Sequence, residues 1–152
     1  MRDRIKVLFI CVHNSGRSQI AEAYLRKMGG DRFKVESAGF EPAEAVNPLV
    51  VEVMKEEGFD ISKNKPRSVF ELFKKGNLYD HVITVCGESE DKCPVFPGIT
   101  RRWHWAFPDP AKVEGSTSEE KLNKAREIRD MIKERLLNPP EGDFSFKDLT
   151  SK

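Results

Sequence analysis

Apolar and polar positions alternate in blocks along this chain, and the period of each block names an element. Ile5 to Ile10 is rich in β-branched and aromatic residues, the mark of a strand buried on both faces. Ser18 to Met28 has helical spacing, with Ile20, Ala23, Tyr24 and Met28 on one face, and Gly29-Gly30 stops it. Phe33 to Ala38 is a second short strand closed by Gly39. Pro48 to Glu57 predicts a helix with Leu49, Val50, Val53 and Met54 inward and Gly58 at its end. A shorter helix is expected from Ser68 to Lys75, before Gly76. His81 to Val85 reads as a third buried strand ending at Cys86, and Arg101 to Phe107 as a fourth. Ser118 to Leu137 is a long amphipathic helix with Leu122, Ala125, Ile128, Ile132 and Leu136 inward and a mixed-charge solvated face, ended by Pro139-Pro140. Strands alternating with helices predict an α/β fold with a parallel sheet, which binds ligands at the carboxyl ends of its strands. Cys11 and Cys86 each follow a predicted strand, so parallel neighbours would open both thiols on one crevice.

Length and charge narrow the class. The 152 residues suit one domain, expected over 1–138, with a loose or lightly docked tail over 139–152. A net charge of +1 argues against a nucleic-acid binder, and no apolar run is long enough to span a bilayer. Three cysteines do not make a secreted disulfide scaffold, and the short N-terminal apolar run is not a signal peptide. A cytoplasmic protein with free thiols is expected, with no membrane partner.

The chemistry is concentrated in FICVHNSGRSQ, Phe9 to Gln19. Cys11, Val12, His13, Asn14, Ser15, Gly16, Arg17 and Ser18 join a strand end to a helix start. Backbone N–H groups of such a loop curl into a nest, and the helix dipole adds positive potential. That geometry holds an oxyanion and suits a nucleophilic sulfur. Arg17 can fork onto two oxygens of a tetrahedral anion. Gly16 lets the backbone turn, and Ser18 is placed to cap the helix or to donate to the Cys11 sulfur. His13 either aids the sulfur or is simply a variable loop residue. The plainer alternative is a buried strand-end cysteine, a capped helix and a surface arginine.

The stretch CVHNSGRSQIAEA resembles the phosphate-binding loop of the low-molecular-weight tyrosine phosphatase fold. Within that fold it is most similar to arsenate reductases coupled to thioredoxin. The resemblance continues through VESAGF, NPLVVEVMKEEGFDIS, VITVCGESEDKCP and HWAFPDPA, from Ile5 to about Leu137, and leaves the last fifteen residues unmatched. It implies a three-layer fold: a four-stranded parallel sheet flanked by helices.

In FPDPAK, Asp109 stands between Pro108 and Pro110, which stiffen its loop. Asp-Pro is common in turns, and that is the plainer reading. The resemblance implies a general acid that protonates the leaving oxygen. Related phosphatases follow this pair with tyrosines, whereas Ala111 and Lys112 follow here, which counts against an aryl phosphate substrate.

Cys86 and Cys93 bracket GESEDK. On a straight helix their Cα atoms would be about 10 Å apart along the axis, and a disulfide needs roughly 4.4–6.8 Å. If they bond, the segment must unwind, with Gly87 as a hinge. Both cysteines as core residues, or a metal site with His81 or His104, are alternatives; the spacing matches no common zinc pattern. The resemblance implies a three-thiol cascade: Cys11 attacks arsenate, Cys86 attacks the adduct and releases arsenite, and Cys93 resolves the disulfide. Thioredoxin, or glutathione with glutaredoxin, would reduce the product. Phosphate and sulfate are expected competitors, and a monomer without a cofactor is expected. The rival activities are a low-molecular-weight phosphatase and, outside enzymes, a thiol redox sensor or oxyanion-binding module.

Some members of the family hold potassium near the loop. The matching residues are Asn14, Glu22 and Ser37. Where an acidic partner follows DIS in the family, this chain reads Lys63-Asn64-Lys65-Pro66-Arg67-Ser68, so a basic side chain is expected to replace the metal. Asn14 is then expected to prop the loop by hydrogen bonds and Glu22 to be a surface helix residue. Trp103, His104 and Trp105 read as packing residues.

Overall fold

The structure is a computed structural model that describes residues 4–85, 101–110 and 113–137. Cys86, Cys93, Ala111, Lys112 and the tail from 138 onward lie outside the described residues, so the expectations placed on them are not addressed by the fold.

Four strands form one sheet: β1 (Ile5–Cys11), β2 (Phe33–Gly39), β3 (His81–Thr84) and β4 (Arg101–His104), in the order β2-β1-β3-β4. Every neighbouring pair is parallel. Helices α1 (Arg17–Gly29), α2 (Pro48–Lys55), α3 (Val69–Lys74) and α4 (Ser118–Leu137) connect and cover them. The three-layer arrangement expected from the sequence is the one observed.

β1 lies inside the sheet, and the pleat sends its side chains to two different cores. Val7, Phe9 and Cys11 enter the larger core with Ile20, Leu25, Val50, Met54, Ile128 and Ile132, under α1, α2 and α4. Leu8 and Ile10 enter the smaller one with Ala38, Val69, Leu72, Tyr79 and Val82, under α3. Val7, Leu8, Phe9 and Ile10 are fully buried, each removing apolar surface worth about 1.5–3 kcal/mol from water. Cys11 therefore hangs from an interior strand packed into both cores.

Element ends show where the sequence pattern was too generous. α2 stops at Lys55, and Glu56 to Gly58 form a turn with Gly58 at φ 88°. β4 stops at His104 because its partner β3 stops at Thr84, the residue paired with it. Met28 is exposed and not on the core face. Eight residues beyond Ile20 it has rotated about 80° off the buried stripe, and Ala21 and Leu25 fill the core instead. On α4, Ala125, Ile128, Ile132 and Leu136 are buried as expected, with Leu122 half-buried in its first turns. The face read as solvated is not entirely so. Arg129 is buried, donates to Val53 O at 2.8 Å and pairs with Glu56 at 2.9 Å. Arg126 to Glu56 at 2.7 Å and Lys133 to Glu57 at 3.1 Å complete a clasp between α4 and the end of α2.

Candidate active site

The loop from Val12 to Gly16 leaves β1 and enters α1. Its carbonyls are all engaged: Val12 O accepts from Glu41 N at 2.9 Å, His13 O from Ala43 N at 3.0 Å and Ser15 O from Asn47 N at 2.8 Å. Asn14 O accepts from Gln19 Nε2 at 3.1 Å, and Gly16 O takes the first helical bond, from Ile20 N at 2.9 Å. A trans peptide points its N–H opposite to its C=O. The carbonyls of Val12, His13 and Ser15, held by the 41–47 stretch, therefore turn the amides that follow them, those of His13, Asn14 and Gly16, the other way. The Asn14 amide shows the result, donating to Cys11 Sγ at 3.2 Å. Such a run of inward amides at a helix start is an anion cradle.

Around the sulfur the sequence expectations gather closely. Cys11 is buried, and Ser18 Oγ lies 2.9 Å from its Sγ. Of the two roles foreseen for Ser18, contact with sulfur is the observed one. Gly16 occupies the helix N-cap, and no side chain caps α1. Asn14 is fully buried at φ 52° and props the loop, its Nδ2 donating to Ser18 Oγ at 2.7 Å and its Oδ1 accepting from Arg67 N at 2.8 Å. His13 is exposed at the rim, its Nδ1 2.8 Å from Glu41 O.

Arg17 opens α1. Helical side chains lean toward the N-terminus, so it projects past the helix start over the loop. Only 5% exposed, it donates from Nη1 to Phe107 O at 3.1 Å, and Nη2 lies 3.7 Å from Asp109 Oδ2. The loop after β4 thus brings Asp109, half-buried, to the cradle. Gly16 supports this approach. A Cβ there would sit 3.3 Å from Pro110 Cγ, tight enough to press on the loop that carries Asp109.

β3 brings the chain to the same end of the sheet. Val85 N donates to Ile10 O at 2.8 Å, so the described chain ends beside β1, one residue before Cys86. The positions of the Cys86 and Cys93 sulfurs lie outside the described residues.

Two expectations around Glu22 are revised. It is not a surface residue but a buried one, accepting from Ser37 Oγ. Burial pushes its carboxyl above the usual range, while Ser37 and Arg26 pull it back. The direct basic partner comes from its own helix, and Arg67 of the 63–68 stretch adds a smaller electrostatic pull on the same carboxyl. Arg26 Nη2 lies 2.7 Å from Glu22 Oε2 and donates to Val35 O at 2.8 Å. The Glu22 carboxylate, which also accepts from Ser37, thus has a guanidinium already beside it. Among the described residues, no cluster of three acidic, histidine or cysteine side chains could hold a metal ion. Trp105 is buried and Trp103 half-buried in the larger core, as expected of packing residues.

Several contributors escaped the sequence reading. Asn47 caps α2 through Leu49 N and also supplies the amide that holds Ser15 O; the pair Asn-Pro at a helix start was its signal. In the sequence Gly39 signals only a strand end. A Cβ on it would meet Val12 O at 2.6 Å and Asn14 N at 2.8 Å, so its bare backbone is what lets the loop sit where it does. Gln19 and Asn64 carried no signal in sequence.

A family model described as low molecular weight phosphotyrosine protein phosphatase matches residues 6–138. An arsenate reductase of Halalkalibacterium halodurans is 46% identical over 131 residues, covering 86% of this chain and 91% of that protein. Among solved structures, an arsenate reductase in the phosphate binding state superposes with a TM-score of 0.70 at 31% identity, covering 86% of this chain and 92% of that one. A Corynebacterium glutamicum thioredoxin-dependent arsenate reductase has a TM-score of 0.55 at 36% identity, covering 86% of this chain and 62% of that one. With the loop, the parallel sheet and most of the chain matched, the protein belongs to the low molecular weight phosphotyrosine protein phosphatase family.

Proposed function

We propose that this protein is an arsenate reductase that converts arsenate to arsenite at the expense of an external dithiol. The observation that carries the reading is the meeting of Cys11, Arg17 and Asp109 around one inward-facing amide loop. The relatives, themselves arsenate reductases, supply the substrate class.

In this reading the Cys11 thiolate attacks arsenic(V) and forms an S–As bond. One As–O bond breaks, and the oxygen leaves as water with a proton from Asp109. Inward amides and the Arg17 guanidinium hold the remaining oxygens and the charge that builds on them. Cys86 as thiolate then attacks Cys11 Sγ. The S–As electron pair passes to arsenic, arsenite leaves and a Cys11–Cys86 disulfide remains. Cys93 attacks Cys86 in turn, freeing Cys11 and leaving a Cys86–Cys93 disulfide for reduction from outside. The net change is arsenate plus a dithiol to arsenite, a disulfide and water. Thioredoxin is the donor that the Corynebacterium glutamicum relative favours, and glutaredoxin with glutathione is the alternative. The reading places the protein in the cytoplasm, where free thiols persist, as a monomer; among the described residues no helix is long and apolar enough to cross a membrane.

The test is arsenate turnover with thioredoxin, thioredoxin reductase and NADPH. Cys11→Ser is expected to abolish it, and Cys86→Ser and Cys93→Ser to stop it after a single turnover at most. Full steady-state turnover in both of the latter would remove the cascade. The family model favours one second reading, phosphatase activity, since cradle and acid serve both reactions. That reading predicts hydrolysis of an aryl phosphate that survives Cys86→Ser and Cys93→Ser.

A further inference from the structure

Asn14 is a non-glycine residue in the left-handed region, at φ 52° and without solvent access. Such a conformation costs of order 1 kcal/mol or more and persists where its surroundings over-determine it. The surroundings here are specific. Gln19 Nε2 donates to Asn14 O at 3.1 Å and lies 3.3 Å from Asn14 Oδ1. Both of those atoms accept only, so Gln19 must present its NH2 group to Asn14 and not its carbonyl. Nothing in Gln19 itself enforces that choice, because the two ends of a carboxamide have the same shape. Asn64 adds to the selection that the Asn14 acceptors make: its Nδ2 donates to Gln19 Oε1 at 3.1 Å. A donor on the far side reinforces the oxygen outward and the NH2 inward.

We infer that Gln19 and Asn64 are positioning residues of the oxyanion cradle, a polarity chain that holds Asn14 left-handed and so keeps its amide on the Cys11 sulfur. Asn64 is exposed, whereas Gln19 and Asn14 are buried. The chain therefore runs from the surface to the nucleophile in three side chains. It ties the 60–68 stretch to the cradle at a second point beside the Arg67 N to Asn14 Oδ1 bond. The inference deepens the proposed function but needs only that the loop binds a tetrahedral anion.

The experiment measures how inorganic phosphate protects Cys11 from iodoacetamide, with the alkylated peptide quantified by mass spectrometry. Asn64→Ala removes the donor and leaves the Gln19 amide free to turn over. The phosphate concentration for half-protection is expected to rise about fivefold, the worth of one hydrogen bond. Asn64→Asp keeps the shape but sets an acceptor against Gln19 Oε1, favouring the inverted amide, and is expected to raise it further than alanine does. Lys63→Ala changes the charge by the same single unit without touching Gln19, and is expected to lie near wild type. An exposed side chain with a merely structural role would give aspartate a smaller effect than alanine, so that order, or no shift in either variant, overturns the inference. Failure of phosphate to protect the wild type overturns it too. If the wild type does not reduce arsenate but the three variants order as stated, the reductase reading falls and this one stands.

Discussion

At the scale of single residues, the site depends as much on an absent atom as on the reactive ones. Gly39 sits where any Cβ would enter the backbone of Val12 and Asn14. Its own N–H is committed to Arg67 O at 2.8 Å, so it cannot back away without breaking that bond. Gly39→Ala is expected to lower stability by about 1–3 kcal/mol, the usual cost of overpacking, and to raise the arsenate KM by displacing the cradle. Urea denaturation and steady-state kinetics on the same preparation check both. The residues that gather at the cradle were legible because the chemistry proposed for them constrains their spacing: a cysteine ending a buried strand, an arginine opening the helix, an aspartate between prolines. Gly39, Gln19 and Asn64 were not, because each acts through a neighbour distant in sequence. Glu22 was misjudged for the same reason. On a helix of mixed residues, with Arg26 one turn on, it looks like any solvated carboxylate, and only the fold shows Ser37 closing over it.

At the scale of elements, strands and helices were readable nearly to the residue wherever burial is two-sided or the stripe is long. β1 and α4 match the reading closely. The ends of α2 and β4 did not, since one is decided by a turn and the other by the length of a partner strand. The clasp of α4 on α2 makes a prediction at this scale. Paired arginines hold the Glu56 carboxyl down to about 2 from an ordinary 4.5, through the Arg126 hydrogen bonds first and that of Arg129 next. Lys133, and then Tyr24, lower Glu57 similarly. A carboxylate with a depressed native pKa stabilises the fold fully above its unfolded value and loses that contribution as pH falls through the native one. The stability gap between wild type and Glu56→Gln is therefore expected to be constant above about pH 4.5 and to close toward pH 2. Urea midpoints at stepped pH measure it, and a gap that is flat throughout would deny the clasp any role.

At the scale of the whole molecule, the cradle joins parts far apart in sequence: β1, the stretch 39–47, the 64–68 stretch and the loop carrying Asp109. An anion that fills it should therefore brace the entire domain and not one loop. Phosphate at one hundred times its dissociation constant is expected to add about 2.7 kcal/mol to unfolding. Arg17→Ala is expected to lose most of that gain while still folding, since the larger core does not include Arg17. Thermal unfolding with and without phosphate decides it, and equal shifts in both proteins would take Arg17 out of anion binding.

Backbone amides read charge and tetrahedral shape; they have no means of sensing which element stands at the centre of four oxygens. A cradle made this way cannot turn phosphate aside at the door, and in any cell phosphate will be the commoner visitor. Discrimination must then arise after binding, from a property in which the two anions differ sharply: arsenic(V) accepts an electron pair from a sulfur bond, and phosphorus(V) does not. On the proposed chemistry, selectivity belongs to the thiols that follow, and the cradle itself spends most of its time holding the wrong guest.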